Sequence, residues 1–279
     1  MTDRLIWITI AILAAFSALK PVLLGTSAEA LFPLISIAAP VIFVLLHAPR
    51  EIGWPRLALF FGLAFVISWS YETASILTGF PFGWYHYTET LGPQLGVVPL
   101  LIMPAYFGTA YACWIIAKLL LDHGRRAAPA GPVAMVLTAS FVMVMWDLSM
   151  DPSRATVAQA WIWHDGGAYF GVPFINFTGW FLCVATIFAA YALTAGRFAA
   201  PRAMPDAKAL AQALAQALAL YGALFVEFVA FAAAPHQGTI ADATGQIWNL
   251  RDLYQTLGLV SIFTMGFVLV SGFLTLRRH

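Results

Sequence analysis

Four acidic residues stand inside or at the ends of long apolar stretches: Glu72, Asp147, Asp151 and Glu227. A charged carboxylate in hydrocarbon is costly, and by default such a residue marks function. Asp147 and Asp151 are four residues apart and share one helical face; Ser68, Glu72 and Ser75 share another, and Asn176 and Trp180 a third. These faces must turn into a bundle, because lipid supplies no hydrogen-bond partners. A carboxylic acid in an apolar cavity keeps its proton more readily than one in water and can serve as a general acid. A second acid kept ionised nearby can act as base or stabilise a cation. Faces of Trp, Tyr and Phe attract cations as well. Together with access from lipid, these groups suit chemistry on an apolar alkene. The acid protonates the double bond, a tertiary carbocation forms, and water adds. The plainer alternative is interhelical hydrogen bonding of protonated acids to Asn or Ser, which accounts less well for four acids at one depth.

The surrounding sequence dictates what positions these residues. Of 279 residues, 61% are hydrophobic and 10% charged, against about 25% charged in a soluble domain. That excludes an ordinary soluble enzyme and a disordered chain, and a net charge of +1 leaves no basic face for nucleic acid. Eight apolar runs approach the ~20 residues that cross a bilayer core: 5–24, 31–47, 57–79, 97–121, 132–151, 173–196, 208–234 and 253–276. The second holds Pro33 and Pro40 and is expected to kink or tilt, so seven spans is the alternative count. None alternates with period two, which excludes a barrel. The expected fold is all-α: a polytopic transmembrane helical bundle, one integral membrane domain over 1–279. The first run reads as a retained helix rather than a signal peptide. Cys113 and Cys183 lie in apolar runs and read as core residues.

Lys and Arg orient the bundle. One side collects Arg4, Arg50, Arg56, Lys118, Arg125, Arg126, Arg197, Arg202, Lys208, Arg277 and Arg278; the other has Lys20, Arg154 and Arg251. Both termini are therefore expected on the cytoplasmic side of a bacterial inner membrane. At about 1.5 Å per residue, Glu72 and Glu227 lie ~10 Å below the outer helix ends, and Asp147 ~6 Å below Asp151. All four acids fall in the outer half. There the loops 80–96 (FPFGWYHYTETLGPQLG) and 152–172 (PSRATVAQAWIWHDGGAYFGV) are rich in aromatics, Gly and Pro. They read either as an interfacial aromatic belt or as a lid over the bundle. Tyr85, His86, Trp161, Trp163, Tyr169, Asn176 and Trp180 are the candidate lid or cavity residues, with Glu227. His164-Asp165 before Gly166-Gly167 reads as a turn. No spacing suggests a metal site.

At these residues the chain resembles the membrane carotenoid hydratases of the CruF and bisanhydrobacterioruberin hydratase type. The resemblance runs over roughly residues 70–185. It is carried by SYETASILTGFPFGWYHYTETLG, VPLLIMPAYFGTAYA, MVMWDLSMDPSRATVAQAWIW and GAYFGVPFINFTGWF. Asp-x-x-x-Asp-Pro, Trp-x-Trp and Tyr-x-Gly-Val-Pro-x-x-Asn-x-x-Gly-Trp occur in the family's order. The resemblance implies hydration of the terminal isoprenoid double bond of an acyclic carotenoid, giving a tertiary alcohol with no redox cofactor. Glu72, Asp147 and Asp151 match its acidic positions, whereas Glu227 lies outside the matched stretch. Asp147 is the expected proton donor, with Asp151 or Glu72 as partner.

Two other classes compete. A non-enzymatic protein could bind an apolar pigment or lipid, or serve as a subunit of a larger membrane complex. A membrane prenyltransferase would use Asp-x-x-x-Asp to hold magnesium and a diphosphate, but needs a second acidic motif and more basic residues than Arg154 and Arg251. The oligomeric state is not encoded in these patterns.

Overall fold

Backbone in hydrocarbon must satisfy its own polar groups, and a continuous apolar run does so as helix. The computed structural model of the protein describes residues 1–122, 131–198 and 207–277. Its helices are α1 (Thr2–Leu23), α2 (Phe32–Glu51), α3 (Trp54–Thr78), α4 (Ile102–Asp122), α5 (Pro132–Pro152), α6 (Phe174–Thr194) and α7 (Ala207–Ala233). A last span is interrupted at Thr264 into α8 (Leu250–Phe263) and α9 (Met265–Leu276). Eight spans among the described residues are long and apolar enough to cross a membrane. The chain is a polytopic helical membrane bundle, with eight spans rather than seven.

Prolines explain two departures from expectation. Pro33 sits in the first turn of α2, where its missing N–H costs nothing, and the helix continues through Pro40 to Glu51. The run expected to begin at 97 instead opens with a two-residue strand, β3 (Val98–Pro99), paired with β2 (Gln94–Leu95). The proline at 99 disfavours helix just before it, and α4 starts at Ile102.

One end of the bundle carries the long connections. Two further antiparallel ribbons form there: β1 (Tyr85–Tyr87) with β4 (Trp161–Trp163), and β5 (Thr239–Ala241) with β6 (Ile247–Asn249). Short strands in these loops were not expected from the sequence. Gly79 ends α3 in the left-handed conformation, φ 77°, its N–H bonded to the Ser75 carbonyl at 2.7 Å. The chain then turns over the bundle toward β1. Ser75 holds that turn: its Oγ donates to the Gly83 carbonyl (2.9 Å) and accepts from the Phe82 amide (3.0 Å).

At the opposite end Arg50 pairs with Asp3 at 2.6 Å, and Gln216 donates to the same carboxylate at 3.1 Å. Arg125, Arg126, Arg202 and Arg278 lie outside the described residues. Lys20 and Arg154, counted among the three cations of the other face, are drawn into the bundle, and Lys20 is fully buried. Cys113 and Cys183 are both buried.

Candidate functional site

The β1–β4 ribbon places aromatic donors over two acids. Its register sets Tyr85 opposite Trp163 and Tyr87 opposite Trp161. Because strand side chains alternate, these four share one face. His86 and Ile162, paired between them, take the other. On the inner face the hydroxyls of Tyr85 and Tyr87 donate to Glu72 in α3, the Tyr87 bond measuring 2.8 Å. Tyr106 of α4 donates to the other Glu72 oxygen at 2.9 Å. Burial first, then the charge of Glu72, pushes the Tyr85 and Tyr87 phenols well above their ordinary value, so both stay donors. Asp151, at the end of α5, accepts from Trp161 Nε1 (3.0 Å), Trp163 Nε1 (3.4 Å) and Asn176 Nδ2 of α6. Each acid thus meets three uncharged donors, two of them from one ribbon.

Under the ribbon lies a cavity of about 500 Å³. Glu72, Asp151 and Glu227 reach its wall, together with Tyr106, Trp146 and Trp180. Tyr106 stacks on Trp180 with centroids 4.4 Å apart and planes 9° from parallel, and Trp146 stands edge-on to Trp180 at 6.3 Å. Glu227 of α7 carries the charged contacts of the site. Its Oε2 meets Lys20 Nζ of α1 and its Oε1 meets an Arg154 guanidinium nitrogen, both at 2.5 Å. Lys20 also donates to Ser36 of α2 at 2.7 Å. Four segments converge on this ion triad. An ionised carboxylate and an ammonium tolerate burial only when paired in this way. No group of three or more His, Cys, Asp or Glu placed to hold a metal occurs among the described residues.

Apart from Lys20, these site residues fall within 28–241, the stretch that matches the family described as "Carotenoid biosynthesis protein". The chain belongs to that family. It is also similar to the bisanhydrobacterioruberin hydratase of Haloarcula japonica, 29% identical over 206 residues, which covers 70% of this chain and 67% of that protein. No solved structure matches the chain. The family places the protein in carotenoid biosynthesis and implies an apolar carotenoid as substrate.

Within this carotenoid biosynthesis protein the candidate residues separate by position. Eight stand on the cavity wall: Glu72, Asp151 and Glu227, with Tyr85, Trp161, Trp163, Asn176 and Trp180. Three do not. Asp147 is fully buried one turn behind Asp151, and neither of its oxygens has a partner among the described residues. The Tyr169 hydroxyl is spent on the Leu148 carbonyl at 3.0 Å. His86 is exposed on the outer face of the ribbon, its Nδ1 2.7 Å from His164 Nε2. Sequence reasoning passed over Tyr87, Tyr106, Trp146 and the two cations. Alternation was the available signal for Tyr87: in Tyr-His-Tyr a strand sends both tyrosines one way and the histidine the other. His164 and Asp165 do form the expected turn, closed by the Gly166 amide on the Trp163 carbonyl at 3.4 Å, with Gly166 at φ 60°.

Proposed function

We propose that the protein is a hydratase adding water across the terminal isoprenoid double bond of an acyclic carotenoid end group. The observation that carries this reading is the pair Glu72 and Asp151. Both line one cavity, both are held by neutral donors, and aromatic faces surround them. A cavity of about 500 Å³ is within the range that suits a small ligand. It would take the end group while the rest of the polyene lies in lipid.

Asp151 is the proton donor in this reading. The two indoles occupy its Oδ1, which leaves Oδ2 to carry the proton. Asn176 faces Oδ2, and its amide can be turned over to accept from that proton, since its two ends are nearly equivalent in shape. The Asn176 Oδ1 has no other partner among the described residues. Transfer of the proton to the less substituted alkene carbon leaves a tertiary carbocation. The Glu72 charge and the faces of Tyr106 and Trp180 stabilise that cation. Asp147, one turn behind, acts through Asp151 rather than on the substrate.

The same reading puts both termini on the cytoplasmic side of a bacterial inner membrane and the cavity in the outer leaflet. Support comes from Arg50, Arg56 and Lys118 at the end away from the cavity, and from the removal of Lys20 and Arg154 from the count of loop charges. Reporter fusions at each loop test the orientation; a cytoplasmic 80–96 loop would refute it.

Expression in a host that makes lycopene, followed by mass analysis of its pigments, tests the activity. The expected product carries one added water per hydrated end. Folded protein that leaves lycopene unchanged would refute the hydratase reading, and pigment retained without turnover would favour a binding protein.

A further inference from the structure

A hydratase needs a place for water as well as for the alkene, and the walls near Asp151 are largely aromatic. We infer that Glu227 binds and deprotonates the attacking water, with Lys20 and Arg154 as positioning residues that hold its carboxylate ionised and aimed; this rests on the hydratase reading above.

Three observations lead there. Glu227 is the acid on the cavity wall with cationic partners: one oxygen meets Lys20 and the other Arg154, each at 2.5 Å. Glu72 and Asp151 have neutral donors instead. A carboxylate has about four acceptor sites, so capacity remains on both oxygens for a water. Lys20 likewise has three donors, and its bonds to Ser36 and Glu227 account for two. Second, Arg154 is three residues beyond Asp151 on the same run of chain. Asp151 and the cation that holds Glu227 therefore flank one turn, and the two acids face one cavity. Third, Arg154 retains 20% side-chain exposure while Lys20 has none. The triad thus runs from a cation still open at the cavity wall to one wholly buried, and sets polar groups for water on an otherwise largely apolar wall.

The chemistry balances without a further reactant. Asp151 gives its proton to one alkene carbon, and the tertiary cation forms on the other. The water oxygen bonds to that carbon, and the resulting oxonium gives a proton to Glu227. This proton returns to Asp151 through cavity water, so the net change is alkene plus water to tertiary alcohol. An oxonium is so acidic that Glu227 needs little basicity, and a carboxylate held by two cations suffices. If the triad is only packing glue, it has no influence on how the cation partitions.

That partition is measurable. Liposomes containing lycopene and purified protein are incubated in D₂O. The cation is either captured by water, giving alcohol, or loses a proton, returning alkene that carries deuterium. The wild type is expected to give mostly alcohol. Glu227→Gln is expected to lose hydration by about 100-fold or more while deuterium incorporation stays within about threefold. Lys20→Met, with one cation removed, is expected to lower the same alcohol-to-exchange ratio. Asp151→Asn is expected to abolish both products. Should Glu227→Gln fail to accumulate, Glu227→Asp carries the test: it keeps the charge but draws the carboxylate back, and the ratio falls. Hydration by Glu227→Gln within threefold of wild type overturns the inference. So does a parallel fall of hydration and exchange in Glu227→Asp, which marks the triad as structural. A wild type that neither hydrates nor exchanges refutes the hydratase reading itself.

Discussion

Replacement of Gly179 by alanine would test whether the ribbon's seat on α6 governs the site. A Cβ built on Gly179 lies 2.5 Å from the Pro81 carbonyl oxygen, 2.8 Å from the Pro81 carbonyl carbon and 2.8 Å from Phe82 Cδ1. Ordinary contact begins near 3.4 Å, so backbone on one side must give way by about 0.9 Å. Two of the three obstructing atoms are main chain and cannot rotate aside. Overpacking of this kind costs about 1–3 kcal/mol, against up to ~1 kcal/mol gained in helix propensity. The displaced segment leads straight into Tyr85, which binds Glu72 and packs on Trp163 at 4.7 Å. A shift of about 1 Å at a reacting centre can reduce rate by about 100-fold. Gly179→Ala is therefore expected to lower both thermal stability in detergent, followed by tryptophan fluorescence, and alcohol yield in the lycopene host. Gly62→Ala is the control. It lies in α3 with nothing within 4 Å of its Cβ, and is expected to be neutral or to stabilise by up to ~1 kcal/mol. Wild-type stability and yield in Gly179→Ala would refute the argument that this glycine is required by close backbone approach.

Other expectations concern the acids and the loops. Asp147→Asn should keep the fold, since neither oxygen has a bond to lose among the described residues, whereas Asp151→Asn should reduce turnover by about 10²–10⁴-fold; equal turnover in both variants would remove Asp151 from the donor role. Tyr106→Phe deletes a 2.9 Å bond to Glu72 and should destabilise by about 1.5–3 kcal/mol, the range for bonds to a charged group, with far less effect when Glu72 is already Gln. A double-mutant cycle of thermal unfolding reads that coupling, and additive effects would contradict it. In the β5–β6 loop, burial pushes Asp242 up, but hydrogen bonds from Thr244, Trp248 and the Gln246 amide outweigh it and hold its pKa below the ordinary 3.8. A depressed folded value stabilises above the unfolded pKa and is lost as pH falls through the folded one. Hydrogen-exchange protection of the Thr244 and Gln246 amides should therefore hold at neutral pH and fall below about pH 4, and Asp242→Asn should remove that dependence.

The bundle was legible from sequence because its cause is local. Hydrocarbon demands continuous apolar runs and leaves acids conspicuous, so the eight spans and the four acids that interrupt or end them could be counted along the chain. The aromatic loops were conspicuous for the same reason. Their strands were not, since three residues of Tyr-His-Tyr acquire alternation only once Trp161–Trp163 supplies a ladder.

Roles within the cluster came from contacts distant in sequence. Asp147 and Asp151 look equivalent as a spaced pair, yet only Asp151 reaches the cavity; the ribbon and α6 bring it donors 10, 12 and 25 residues away. Lys20 and Arg154 served in the sequence only to count cations on one face, because their partner, Glu227, lies 207 and 73 residues away. By itself the sequence determined that charge in this protein is rare and that four acids interrupt its apolar runs, conspicuous because of the transfer cost that each residue meets alone. Tertiary structure decided which carboxyl meets neutral donors, which meets cations and which meets no hydrogen-bond partner among the described residues, because a buried charge is set by the groups packed around it.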